Sequence, residues 1–583
     1  MSTELRRARN RQMVIFLLVC AGMVILSGRL YYWQVINGPR LAQAANAEHI
    51  QTQTVNAPRG RIYDATGQLL ATNVVRDDVY IEPSQLVTDY PDTYQSERES
   101  LVQKLHAVLN DIAPEKLKSA FNSSVPTVLI ATSITPDQSQ KLRDLHLPYT
   151  FLEPRTWRTY PAGDLAAQII GYVQEDAAGS SPKGVYGIEK MYNKQLSGKA
   201  GSFVAETDLN GNPLNVGSSS EQDMVDGADV TLTINSTIQY KVQTALEERV
   251  KQMGAESGTA VVLNARTGAI VALAGAPSFD PNDYGKYASS TGCRGQLEVY
   301  SNPALYCAYE PGSTMKAITM AAGLDQHLIK PTDAIQDPGY LAFTDGTPAV
   351  TNWMHKGYGT ESMTQVLEHS ANVGAAWVAT QKLGAKRFYP YLQQFGFGQA
   401  TGVLQPEAAG MYRIPTSKDW SPSDLARQSF GQSILVTPLQ MASAYQAIAN
   451  DGVKMKPYLV SSIQDKEHPT TFQPQEEHKV ISPEAARALA SMLESTAKFN
   501  DNTVPGYRTA VKTGTATNQS LADTNTDASM AGFLPVSNPQ FVILVKIDHP
   551  TATIYGGSAA GPTWKAIAQQ LMWQYSIPPD DPA

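Results

Sequence analysis

The chain has 583 residues, with 46 Lys and Arg against 54 Asp and Glu, a formal net charge of −8 and 42% hydrophobic residues. That length is too great for one ordinary core, so two or three globular units are expected, and the composition excludes a disordered or fibrous chain. The modest acidity, without a phosphate-cradling glycine loop or interleaved arginine and aromatic stretches, gives no basis for nucleic-acid binding.

Residues Met13 to Ser27 are continuously apolar or small, and Arg29 is followed by Leu30, Tyr31, Tyr32 and Trp33. This predicts one transmembrane anchor over 13–35, with Arg29 snorkelling to the headgroups and the Tyr and Trp rings at the interface. Arg6, Arg7, Arg9 and Arg11 precede the apolar run and keep residues 1–12 as a cytoplasmic tail, so everything beyond the anchor lies outside the membrane. A cleaved leader is the alternative, since Ala42-Gln43-Ala44 and Ala45-Asn46-Ala47 have small-residue spacing. Both lie well beyond the apolar core, which favours an uncleaved anchor.

Residues 36–225 alternate short β-like runs, such as Val79-Tyr80-Ile81, with turns such as Asp64-Ala65-Thr66-Gly67, plus a helical patch near Leu101 to Leu109. No period of solenoid length is visible. A Gly/Ser/Asp-rich stretch at 216–229 marks a domain boundary. Beyond it Val230 to Ile234 alternates as a strand, and Asn235 and Ser236 offer an N-cap to a helix with Ile238, Val242 and Leu246 on one face. The runs Thr259 to Asn264 and Ala269 to Ala274, joined by Ala265-Arg266-Thr267-Gly268, form a hairpin. A long helical stretch from about 313 to 450 follows, then strand-like runs at Arg508 to Thr515, Ser529 to Phe533 and Phe541 to Ile547. A last helix is expected near 562–574 and a short tail over 576–583. This order indicates a multidomain α+β protein with an antiparallel sheet, the second globular unit spanning 226–575.

The strongest chemical signal is Tyr309-Glu310-Pro311-Gly312-Ser313-Thr314-Met315-Lys316. Pro-Gly breaks the chain and helix follows, which places Ser313 in a first turn and brings the Lys316 amine, at i+3, toward its hydroxyl. A partly desolvated lysine can be neutral and act as base to an otherwise poor nucleophile. Spacing alone does not decide, because Ser-x-x-Lys also occurs at Ser180/Lys183 and Ser495/Lys498. Two companions occur once each: Ser370-Ala371-Asn372, and Lys512-Thr513-Gly514 within a strand-like run.

The order Ser-x-x-Lys, Ser-x-Asn, Lys-Thr-Gly is the signature of penicillin-recognising serine enzymes, and with it the chain resembles a class B penicillin-binding protein. The resemblance extends to Pro58-Arg59-Gly60-Arg61, Arg158-Thr159-Tyr160-Pro161 and Gly187-Ile188-Glu189-Lys190, whose arginines and acids it implies are structural pairs. Phe430-Gly431-Gln432 and Tyr555-Gly556-Gly557 are similar to further family motifs, whereas Asn302-Pro303-Ala304 stands where the family often has Asn-Arg-Ala. The resemblance implies a β-rich pedestal or dimerisation-type domain over 36–225. It also implies a serine β-lactamase-like transpeptidase domain, an antiparallel sheet flanked by helices with an all-α lobe.

In that role Ser313 is the nucleophile and Lys316 its base. Ser370 relays a proton, Asn372 holds Lys316 and donates to a substrate carbonyl, and Lys512, Thr513 and Thr515 suit a terminal carboxylate. Gly514 lets a peptide backbone lie close alongside. The resemblance implies that the N–H groups of Ser313 and Thr515 form the oxyanion hole. It further implies stem-peptide cross-linking, acylation by β-lactams, no cofactor, and a polytopic glycosyltransferase of the shape, elongation, division and sporulation family as partner. The lack of C-terminal accessory repeats leans toward a division enzyme. A β-lactamase or carboxypeptidase is the second reading, since Glu206-Thr207-Asp208-Leu209-Asn210 mimics a deacylation box, although upstream of Ser313. A non-catalytic anchored receptor is the third, disfavoured by the intact motifs and the short segment before the anchor.

Cys20 lies in the apolar segment, while Cys293 and Cys307 flank a turn-rich stretch just before Ser313. In an oxidising compartment these two can pair, contributing about 3 kcal/mol on the loop-entropy account; two unpaired small hydrophobes are the alternative. Nine histidines show no metal-ligand spacing, and no metal is expected.

Overall fold

A computed structural model describes residues 2–41, 50–174, 182–206, 219–295, 297–343, 347–517 and 526–581. The chain divides into two compact units, Met1–Ala57 with Gly198–Asp226, and Pro58–Ser197 with Gly227–Ala583. In the first, an apolar helix Ser2–Tyr31 runs into a π-helical turn, Tyr32–Ile36. Its 30 residues extend about 45 Å, beyond the hydrocarbon thickness of about 30 Å. The helix starts well before Met13, because the arginine-rich segment is made of good helix formers. It is the one helix among the described residues long and apolar enough to cross a membrane. Strands Ile50–Val55 and Ser219–Gln222 flank Gly201–Glu206 in a three-stranded antiparallel sheet of the same unit.

The second unit begins with a pedestal. Its long strand Leu69–Ile81 pairs with Thr150–Thr159 in an unbroken antiparallel register from Thr72↔Thr159 to Ile81↔Thr150, and with Val128–Ile134 on its other edge. Helices Tyr94–Val108, Pro114–Phe121 and Pro136–Leu145 press Leu101, Leu105, Leu117, Phe121 and Leu142 onto Val79 and Ile81. Strand Asp229–Leu232 joins this sheet, parallel to Ile62–Tyr63 and antiparallel to Val460–Gln464, so the pedestal sheet is built from three distant parts of the chain.

The core that carries the site starts with helix α1, Ser236–Met253. Asn235 caps it by accepting from Ile238 N at 3.1 Å, Gly254 ends it in a left-handed conformation, and Ile238, Val242 and Leu246 are buried on its inner face. Strands β1, Ser257–Asn264, and β2, Ile270–Ala276, form the expected hairpin. The stretch expected to be largely helical is instead broken into short pieces. Among these are helix α2 (Lys316–Asp325), a ribbon of β3 (Ala334–Asp337) and β4 (Gly359–Ser362), and helices α3 (Met363–Glu368), α4 (Asn372–Trp377) and α5 (Pro438–Ala449). The breaks follow backbone demands: Ser370 adopts φ +56 between α3 and α4, where no helix can continue.

Helix α6, Pro483–Phe499, precedes strands β5 (Ala510–Thr517), β6 (Thr526–Leu534) and β7 (Phe541–Asp548), and helix α7, Gly561–Gln574, closes the domain. The sheet order is β2-β1-β7-β6-β5, antiparallel throughout, with β5 on the edge. Every residue of β6 and β7 is buried, because helices cover both faces. On one face α1 and α7 bring Val242, Leu246, Trp564 and Leu571 onto Val545 and Ile547; on the other Tyr445 and Met441 of α5 pack with Val261, Phe533 and Leu544.

The family-like arginines do form pairs. Arg59 Nε meets Glu189 Oε2 at 2.6 Å and Arg158 Nε meets Glu189 Oε1 at 2.7 Å, all three side chains almost fully buried, while Arg61 pairs with Asp229 near the surface. Removing one partner from a buried ion cluster leaves charge without compensation. Glu189→Ala is therefore expected to destabilise the domain by about 3–5 kcal/mol in thermal or denaturant unfolding. A loss below about 1 kcal/mol would mean that water or other groups take over the arginines.

Candidate active site

The nucleophile turn is held by glycine contacts. Gly312, at φ +55, donates its N–H to Gly431 O at 3.0 Å, and a Cβ on Gly431 would fall 2.1 Å from Gly312 O. Only backbones without side chains approach this closely. A 3₁₀ turn, Gly312–Met315, then leads into α2, tightened by Thr314 Oγ1 donating to Pro311 O at 2.8 Å and by Tyr445 OH donating to Thr314 O at 2.9 Å. Ser313 is half-buried at this turn, and Lys316 is fully buried one step into α2.

The expected companions converge here. Lys316 Nζ lies 2.9 Å from Ser313 Oγ, 2.5 Å from Ser370 O, 3.2 Å from Ser370 Oγ and 2.8 Å from Asn372 Oδ1. Lys512 Nζ reaches the same Ser370 Oγ at 2.9 Å and Thr513 O at 3.2 Å. Burial, with the like charge of Lys512 adding to it, pushes the Lys316 amine well below its ordinary range. Burial also lowers Lys512, to about 7. Four oxygens surround Lys316 Nζ, one more than an ammonium has protons. A neutral amine also meets three of them, donating to Ser370 O and Asn372 Oδ1, which can only accept, and accepting from the Ser313 hydroxyl.

Ser370 is presented by strain. Its left-handed backbone, which costs a non-glycine residue about 1–2 kcal/mol, is enforced by Ser370 N donating to Leu367 O at 3.2 Å and Ala371 N to Val366 O at 2.9 Å. This turn aims both its carbonyl and its hydroxyl at Lys316. Asn372 spends one Nδ2 hydrogen on Thr351 O at 2.9 Å, leaving the second for a ligand.

On the other side, β5 offers its outer edge. Strand alternation sets Lys512 and Gly514 on one face and Thr513 and Thr515 on the other. Thr515 Oγ1 accepts from Gly556 N at 3.1 Å, which ties the Tyr555-Gly556-Gly557 segment to the strand. Gly514 has a reason different from the expected one: a Cβ there would meet Ser529 Oγ at 2.5 Å and Pro311 O at 2.7 Å. The missing side chain makes room for the protein's own nucleophile turn. At the mouth, the exposed rings of Trp353, on the helical side, and Tyr555, on the sheet side, meet edge to face at 5.9 Å.

The competing Ser495/Lys498 pair does not form a site of this kind. Ser495 Oγ donates to Glu368 and Lys498 to Glu494, while Ser180 lies outside the described residues, as does most of the Glu206 to Asn210 segment. Cys293 and Cys307 are joined as a disulfide, with Cα atoms 6.1 Å apart. Asn302, buried, caps the short helix Pro303–Tyr306 by accepting from Ala304 N at 3.0 Å. Sequence reading missed Thr351, Gly431 as a partner of Gly312, Tyr445 and Trp353. Only Gly431 carried a local signal, its motif.

A serine bonded to a buried, neutral-leaning amine at the open edge of an antiparallel sheet defines a penicillin-recognising serine acyltransferase. The penicillin-binding protein dimerisation domain matches residues 54–232 and the penicillin binding protein transpeptidase domain residues 258–569. Penicillin-binding protein PbpB of Mycolicibacterium smegmatis is 30% identical over 600 residues, covering 96% of this chain and 90% of that one. Peptidoglycan D,D-transpeptidase FtsI of Escherichia coli is 28% identical over 588 residues, covering 97% and 92%. The crystal structure of penicillin binding protein 3 from Mycobacterium tuberculosis complexed with aztreonam aligns with a TM-score of 0.66 at 26% identity, covering 91% of this chain and 99% of that one. The chain belongs to the class B penicillin-binding proteins, and its second domain is a serine-type transpeptidase.

Because Gly514 abuts Pro311, Gly514→Ala is expected to displace the nucleophile turn and slow acylation by a fluorescent penicillin about 100-fold. Labelling at the parental rate would mean that the turn yields without moving Ser313.

Proposed function

We propose that this chain is a peptidoglycan D,D-transpeptidase of cell-wall synthesis in division or elongation, with Ser313 as its nucleophile. The observation that carries this is the single Ser370 Oγ shared by the Lys316 and Lys512 amines, with Ser313 Oγ and Asn372 Oδ1 on the same Lys316 Nζ. Neutral Lys316 takes the Ser313 proton as Oγ attacks the penultimate D-Ala carbonyl of a stem peptide. The oxyanion so formed sits at the N–H groups of Ser313 and Thr515, and the terminal carboxylate lies along the outer edge of β5, reached by Lys512 from one face and by Thr513 and Thr515 from the other. Gly514 keeps the strand close to the turn. Collapse breaks the peptide bond, and the leaving D-Ala amine receives the proton from Lys316 through Ser370 Oγ. An amine of a second stem then attacks the acyl-enzyme, gives up its proton along the same relay, and restores the Ser313 hydroxyl. A β-lactam takes the donor's place and acylates Ser313.

The working division is a tail over 1–12, an anchor over 13–35, a pedestal over 36–225, the transpeptidase domain over 226–575 and a tail over 576–583. The apolar helix holds the chain in the cytoplasmic membrane with the arginine-rich end inside and the catalytic domain outside. The Cys293–Cys307 disulfide fits that oxidising side. A polytopic glycosyltransferase of the shape, elongation, division and sporulation family supplies the glycan strands, contacted through anchor and pedestal. Co-purification from detergent that yields no such polymerase counts against this partner.

The catalytic assignment is tested by intact mass after exposure to a β-lactam. One adduct is expected on the parental chain and none on Ser313→Ala, and Lys316→Ala is expected to slow adduct formation by about 10²–10⁴-fold, the range for a lost general base. An adduct that persists on Ser313→Ala overturns the assignment.

A further inference from the structure

Behind the Ser370 to Asn372 segment lies a group of acids that acyl transfer does not use. Asp337 on β3 and Glu361 on β4 sit diagonally on the inward face of the ribbon, whose register pairs Ile335 with Glu361 and Asp337 with Gly359. Each is 1% exposed. Glu361 Oε2 meets His369 Nδ1 at 3.0 Å, whereas Oε1 is buried without a hydrogen-bond partner among the described residues. Asp337 is placed to bond Glu361, but two carboxylates both accept. One proton shared between them lets the two carboxyls bond and removes a buried like-charge contact.

Each acid anchors one end of the segment that faces Lys316. His369, held by Glu361, immediately precedes Ser370; Tyr358 stacks on its ring at 4.6 Å and donates to its carbonyl at 3.4 Å. Asp337 Oδ2 accepts from Asn352 Nδ2 at 2.7 Å, and Asn352 Oδ1 accepts from Val373 N at 3.1 Å, next to Asn372. We propose that Asp337, Glu361 and His369 form a proton-sharing positioning cluster. It holds the Ser370 to Asn372 segment against Lys316 and sets the pH range in which Ser313 reacts. This rests on the transpeptidase reading above.

The sign follows from the groups around Glu361: Asp337 from β3, His369 from the end of α3, Tyr358 from the preceding loop, Lys316 from α2, and Lys512 of β5 beyond it through Ser370. Burial lifts the Glu361 carboxyl to about 7, with Asp337 adding to the rise and His369 opposing it. Below neutrality the carboxyl is uncharged. Above it, the carboxylate favours the protonated form of Lys316, against the proton loss that catalysis needs. Removing that charge lets Lys316 become neutral at lower pH.

The test is the second-order rate of Ser313 labelling by a fluorescent penicillin from about pH 5.5 to 9, on the full chain in detergent, for the parent, Glu361→Gln and His369→Asn. Both substitutions take negative charge from Lys316 near neutrality, the second by raising the proton affinity of Glu361. Both are expected to move the acid limb to lower pH by about half a unit or more. A uniform fall in rate with the midpoint unmoved would reduce the cluster to packing and overturn the proposal. If Glu361→Gln does not fold, the midpoint of His369→Asn decides. A parental chain that is not labelled at Ser313 at any pH fails the transpeptidase reading itself and takes the cluster with it, which separates that failure from an unmoved midpoint.

Discussion

A buried amine surrounded by oxygens is the constraint from which the rest of this domain follows. Lys316 Nζ is sealed from solvent with a second amine, that of Lys512, one hydroxyl away. Two ammonium groups this close in a dry site repel strongly, so at least one is driven toward its neutral form. A neutral amine beside a serine hydroxyl is a base. The arrangement thus obtains reactivity from burial. It also explains why the amine must be fully enclosed: water at Nζ would restore its ordinary affinity for a proton.

Enclosure on that scale requires backbone to pack on backbone. Gly312 lies on Gly431, Gly514 on Pro311, and a Cβ on Gly556 would fall 2.3 Å from Gly514 O. These contacts join the nucleophile turn, the loop before α5, the edge strand β5 and the segment before α7, four pieces far apart in the chain. Each glycine gives up side-chain burial and rigidity. In return the four segments stack as a single layer around Ser313, with little space between them for solvent. The strained Ser370 backbone belongs to the same economy, since its twist turns carbonyl and hydroxyl together onto Lys316.

This division between local and assembled features decides what the sequence could reveal. The cap at Asn235, the buried face of α1, the β1–β2 hairpin and the last helix are set by neighbouring residues, and each is legible from period and turn chemistry. The three motifs were legible because each is a short run with its own spacing. The broken course between 313 and 450 was not. Its helices end at left-handed residues such as Ser370, held by backbone bonds back to the preceding turn at Leu367 and Val366, and apolar spacing says nothing about that. The reason for Gly514 was equally hidden, because the atom that excludes a side chain belongs to Pro311, about 200 positions earlier. Glu361 and Asp337 lie on strands of four residues and carry no motif, so their meeting depends wholly on the ribbon register.

The approach to the nucleophile is fixed by interactions that do not touch substrate. Cys307 is tied to Cys293, and two residues further Tyr309 exchanges backbone bonds with Val436, each 2.9 Å. Lys546 of β7, fully buried with its partner Asp548, places its amine 5.1 Å from the centre of the Tyr309 ring. A buried ion pair gives little net stability over an apolar pair of the same size, because desolvation offsets most of the attraction. Its directionality is another matter: Asp548 also accepts from Ser257 Oγ at 2.7 Å, so β7, β1 and the Tyr309 segment are held in one register. Proton transfer between Ser313 and Lys316 tolerates errors of only a fraction of an ångström. Polar contacts of modest energy beneath the nucleophile turn are therefore better suited than a larger apolar core to holding it, since they fix direction as well as distance.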